Sequence, residues 1–175
     1  MKKGLDCLMK RAKEYDDPFL NGGVPFIWCS NNLVTAAITH AQLYYQASGD
    51  ESYLEMEAAL RDWLFGCNPW GDIYDLRISG RWRFTYTPAL LCIGTNERYS
   101  LWRFSRWPIY KTIYESLLGI HLRYDDAYAP FQFGAAVYHD DPGDYSSNEP
   151  TMDGTASLSF YLSTMEKTGK TQKKK

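Results

Sequence analysis

Five carboxylates crowd the stretch between Asp140 and Asp153: Asp140, Asp141, Asp144, Glu149 and Asp153. His139 lies among them, and Tyr138 and Tyr145 interleave with them. Neighbouring negative charges raise one another's pKa. Aromatic rings can desolvate such a site and stack on a sugar ring. Glu149 precedes Pro150, a residue suited to open a helix, so Glu149 is expected at a helix mouth. A glutamic acid kept protonated near neutral pH is what a general acid requires. The helix dipole favours the charged form, so desolvation and neighbouring charge must outweigh it for that role. Two other readings stay open. An acidic residue at this place stabilises a helix through the dipole alone. His139, Asp140, Asp141 and Asp144 could also hold a structural calcium, which prefers oxygen ligands, although their spacing is not that of an EF-hand loop.

The elements that would position these residues read as helices. Leu5, Leu8 and Ala12 share one face of a helix over 4–15, which Asp17-Pro18 ends. Ser30 is the expected N-cap of a helix over 31–47, with Leu33, Ala36, Ala37, Ala41 and Tyr44 at three- and four-residue steps. Gly49 supplies its stop. A helix over 51–65 follows after a short link, so the two are expected to form an antiparallel helical hairpin. Pro108 and Gly119 bracket an expected helix over 108–118. Residues 120–148 read as a long ordered loop, and Pro150 opens a last helix over 151–165. Strand signal is weak throughout. The expected class is all-α, built of helical hairpins with long active-site loops, which in a compact domain usually carry binding or catalysis.

Composition narrows the function classes. With 175 residues, 45% hydrophobic and 23% charged, the chain reads as one soluble globular domain. No stretch approaches the roughly 20 apolar residues of a membrane helix, and the basic start has no apolar run behind it, so no signal peptide is read. Five of the 19 basic residues crowd into 167–175, so the body before it is acidic, which argues against a nucleic-acid partner. The stretch 167–175 reads as a disordered basic tail. Cys7, Cys29, Cys67 and Cys92 lack the close spacing of a zinc site and read as reduced thiols. The aromatic share is high, 16%.

The run 138–156 resembles the C-terminal active-site signature of glycoside hydrolase family 9, the cellulase and endoglucanase family. Tyr138, Asp140, Tyr145, Glu149, Thr151 and Ala156 match that pattern, and Thr155 stands where it has Asn. The resemblance extends over 22–33, 60–71 and 126–134, and covers almost all of 1–166 apart from 72–107. It implies part of an (α/α)6 barrel and inverting hydrolysis of β-1,4-glucosidic bonds in cellulose or related β-glucans. It assigns Glu149 as general acid and Asp140 as a supporting carboxylate, with Tyr145, Tyr138, Trp28 and Trp70 as sugar-binding aromatics. No cofactor is implied. Family members are typically exported.

Two parts of the family's pattern are missing. Its general base lies in an Asp-Ala-Gly-Asp motif, which this chain does not contain. A histidine-bearing substrate loop is expected near 72–107, yet no histidine occurs between His40 and His121. That tract holds six of the nine arginines and three of the six tryptophans. Read one base later, each tryptophan codon gives glycine, so Trp82, Trp102 and Trp107 become glycines and a histidine codon can span Ala89 and Leu90. The tract therefore reads as frameshifted or irregular, and the chain as the C-terminal portion of a catalytic domain, weakly active or inactive without the N-terminal part. The rival readings are non-catalytic. One is a carbohydrate-binding remnant using Trp28, Trp70 and Tyr145. The other is a helical interaction module, since 31–65 loosely resembles a tetratricopeptide repeat, although arrays of that kind need at least about three copies.

Overall fold

The computed structural model describes residues 1–14, 23–71, 107–148 and 152–172. Among them the chain is mostly helical: α1 (Lys2–Glu14), α2 (Ser30–Ser48), α3 (Leu54–Leu64), β1 (Ile109–Tyr110), the single turn α4 (Lys111–Tyr114), β2 (Ala136–Val137) and α5 (Met152–Gln172). No helix among the described residues is long and apolar enough to cross a membrane.

The core forms where α2 meets α3 and α5. Val34, Ala37, Ile38 and Ala41 of α2 are buried with Met56, Leu60, Trp63 and Leu64 of α3 and Leu158 and Tyr161 of α5. Leu5 of α1 joins them, with Leu8 partly buried against the cluster. Helix α3 runs back along α2, so that Trp63 Nε1, near its end, donates to Asn31 Oδ1 at the start of α2 (3.2 Å). Between α3 and α5, the buried Tyr161 hydroxyl donates to Glu57. Burial and that carboxylate both push the Tyr161 phenol far above its ordinary pKa. The apolar face of α2 differs from the expected one: Leu33 and Ala36 are exposed, and Val34 and Ile38 face inward instead.

Helix ends show which signals were sufficient. Gly49 sits at φ 72° and its N–H reaches Tyr45 O (2.8 Å), the left-handed stop that glycine permits. Ser30 is not the N-cap. The helix begins at Ser30 itself, Cys29 occupies the cap position at φ 58°, and Ser30 Oγ donates to Pro108 O (2.8 Å). The expected helix over 108–118 is not formed. Ile109 and Tyr110 pair antiparallel with Val137 and Ala136, and only Lys111–Tyr114 turns helically. Tyr110 N–H also donates to Phe26 O (2.7 Å), so backbone partners far away in sequence hold this segment extended. At the other end, α5 continues to Gln172 rather than ending at 165. Lys167, Thr168 and Gly169 form an exposed extension of it, and a lysine in the last turns suits the negative end of the helix dipole.

Candidate functional site

The segment 107–148 lies over the end of the helical layer where α2 and α5 begin. Asn32 Nδ2 donates to Asp153 Oδ2 (3.3 Å), so these two helix starts are neighbours. The loop ahead of α2 carries Trp28, and the turn that follows His139 carries Tyr145. Their rings meet with centroids 6.0 Å apart and planes inclined at 32°. Both remain open to solvent, at 39% and 41%. Tyr145 is tethered through its hydroxyl, which donates to Leu118 O (2.9 Å).

The turn beneath Tyr145 is built around one carboxylate. Asp144 is fully buried, and its Oδ1 accepts the Ser146 and Ser147 N–H groups (2.9 and 3.3 Å) and the Ser146 hydroxyl. Its Oδ2 accepts from Ser147 Oγ (2.7 Å) and from His139 Nδ1 (2.8 Å). Burial pushes the Asp144 carboxyl up, but the hydrogen bonds from His139, Ser146 and Ser147 outweigh it and leave the group below the ordinary carboxylate range. On the far side of the imidazole, Nε2 faces Asp126 Oδ2 at 3.7 Å. The Tyr114 ring lies 5.2 Å from the imidazole, centroid to centroid. Burial, together with the charges of Asp144, Asp126 and Asp141, raises the Tyr114 phenol above its ordinary pKa.

Two further fastenings stiffen the loops. Gln132 Nε2 donates to Tyr138 O (2.6 Å) and Asp126 Oδ2 (3.2 Å), while its Oε1 accepts from Tyr138 N and Trp70 Nε1 (both 3.2 Å). Asp141 accepts the backbone N–H groups of Arg123 and Tyr124 (both 3.0 Å) and of Gly143 (2.6 Å). At Gly143 the chain passes so close to His121 that an added Cβ would stand 1.9 Å from His121 O. Trp107 is fully buried, with its backbone N–H on Ser147 O (3.1 Å) and its Nε1 on Ser146 O (2.8 Å).

The expected site residues are therefore distributed in three ways. Trp28 and Tyr145 are brought together at the surface. Tyr138 and Trp70 are buried at 0% and 4%, with ring centroids 5.6 Å apart. Their faces are covered by protein, so as placed they present no platform to a sugar. Asp140 is partly buried on the same stretch, and Glu149 lies outside the described residues, as do 72–106 of the irregular tract. Of the four side chains considered for calcium, Asp141 and Asp144 hold backbone and side-chain donors instead. No group of three or more His, Cys, Asp or Glu is arranged for a metal ion among the described residues. His139, weighed above only as a calcium ligand, is a structural tie, and Asp126 and Gln132, inside the resembling segment 126–134, carried no assigned role; a lone histidine in an acidic loop was the available signal. No family model, curated protein or solved structure matches the chain.

Proposed function

We propose that the chain is the C-terminal part of a family 9 glycoside hydrolase catalytic domain acting on β-1,4-glucans. In this reading α2, α3 and α5 belong to an (α/α)6 barrel, and the solvent-open Trp28–Tyr145 pair borders the sugar cleft. That pair carries the reading: two rings from separate resembling segments, 22–33 and 138–156, lie side by side on the loops before two adjacent helix starts. Glu149, four residues beyond Tyr145, is the general acid that protonates the departing glycosidic oxygen, with Asp140 as its supporting carboxylate. In inverting hydrolysis a second carboxylate, about 6.5–9.5 Å from the acid, activates water on the opposite face of the sugar ring. This chain lacks the motif that would supply that base, so hydrolysis by it alone is weak or absent.

The test is to incubate the full chain with soluble and insoluble β-1,4-glucan and to measure retention and reducing-end release. Glucan retention is expected, with release near background and any residue of it removed by Glu149→Gln. Vigorous hydrolysis abolished by Glu149→Gln would show that the base is present after all. Neither retention nor release on any β-glucan would overturn the assignment. The exposed ring pair also favours a second reading, a glucan-binding module without catalysis, in which Glu149→Gln changes nothing.

A further inference from the structure

We infer that His139 is a positioning residue that sets Tyr145 in its solvent-open place by gripping the Asp144 carboxylate. The inference rests on the glucan reading of Tyr145 and Trp28. Tyr145 sits between Asp144 and Ser146, at the crest of a turn closed underneath by Asp144. The Ser146 and Ser147 N–H groups point inward to its Oδ1, and Asn148 N–H returns to Asp144 O (3.2 Å). The turn fixes the direction in which the side chain leaves the backbone, and the hydroxyl tether to Leu118 O holds the far end of the ring. The other oxygen of Asp144 is held from outside the turn by Nδ1 of His139 (2.8 Å), alongside Ser147 Oγ of the turn itself (2.7 Å).

The imidazole is itself unable to turn away. It is 6% exposed, Asp126 faces its opposite nitrogen, and the Tyr114 ring covers its side. Asp126 is fixed in turn by Tyr128 N–H (2.8 Å) and Gln132 Nε2 (3.2 Å). The backbone around His139 closes the same circuit: its N–H donates to Ser147 Oγ (3.1 Å). Three stretches of chain, near 114, 126–132 and 144–148, therefore meet on one ring, and the outward aim of Tyr145 depends on it. Asp144 is held ionised by these donors, which strengthens its hold on the turn.

Two variants separate positioning from bulk stability. His139→Asn keeps an N–H donor near the place of Nδ1, whereas His139→Phe keeps a ring of similar bulk and loses the donor. The probe is cellohexaose titrated into the full chain, followed by tryptophan fluorescence, alongside hydrogen exchange at the Ser146 and Ser147 amides. His139→Phe is expected to weaken cellohexaose binding about tenfold, as Tyr145→Ala does, the scale of one lost hydrogen bond to a charged group. It should also deprotect the Ser146 and Ser147 amides while the α2 and α3 amides stay protected. His139→Asn is expected to restore binding and protection. Unchanged protection in His139→Phe would overturn the inference, as would equal losses in both variants. If the unsubstituted chain ignores cellohexaose, the glucan reading falls and the exchange pattern alone decides the role of His139.

Discussion

The helical layer and the loops of 107–148 share an apolar core but differ in how much polar bonding each adds to it. In the first, α2, α3 and α5 bury Ile38, Leu60, Trp63 and Leu158 against one another, a non-directional attraction that tolerates small shifts. In the second, beside buried Trp107, Ile109 and Tyr138, a set of polar groups, Asp141, Asp144, Gln132, Ser146 and Ser147, joins backbone to backbone over short spans. A network of this kind fixes a unique geometry but fails when any member is removed, because the remaining partners are left buried and unpaired. The contrast suits a division of labour in which helices provide stability and loops provide aim.

The contrast can be broken from either side. Trp63→Ala should cost about 3–5 kcal/mol in denaturant unfolding, the usual range for emptying a buried indole site, and should lower the stability of helices and loops together. Asp144→Ala should cost about 3 kcal/mol by stranding several buried donors, and hydrogen exchange should show the loss confined to the loops. Equal spread of that loss into α2 would mean that the two regions are not separable. Gly143→Ala should cost about 1–3 kcal/mol, since the new methyl must push the His121 backbone aside. The last test is acid. Asp144 has its folded pKa below the unfolded value of about 3.9, so its contribution is present above that pH and is lost as pH falls through the folded value. Loop amides should therefore lose protection below about pH 4, and Asp144→Asn should blunt that dependence.

Much of the helical layer was legible in the chain. Leu5 and Ala12 repeat at helical spacing and are both buried, and Gly49 stops α2 where its φ of 72° requires a glycine. The loops were legible only as loops. The pairing of Ile109 with Val137 joins residues far apart in sequence, a contact that local periodicity cannot register, so Pro108 and Gly119 read as the brackets of a helix. Ser30 has the right type for an N-cap, but its hydroxyl serves Pro108 O. Aromatic residues betray their type and not their facing. Trp28 and Tyr145 are open while Trp70 and Tyr138 are shut in, Trp70 among the rings of Trp63, Phe133 and Tyr138 and Tyr138 between those of Trp70 and Tyr128. Trp107 sharpens the frame question. A glycine there would keep the backbone bond to Ser147 O but give up the indole bond to Ser146 O and an indole's worth of packing, so the coding DNA for this position is the decisive reading.

Cys29, one step after Trp28, holds the left-handed backbone at φ 58° and ψ 37° without the freedom of a glycine, a conformation that disfavours an L-residue by roughly 1–2 kcal/mol. The entry to α2 is thus under tension, imposed by what surrounds it. Exchanging that cysteine for glycine would relax the joint and raise the melting temperature, yet it would also loosen the direction in which the indole leaves the chain. Stability and ring orientation can therefore be tuned against each other at a single position.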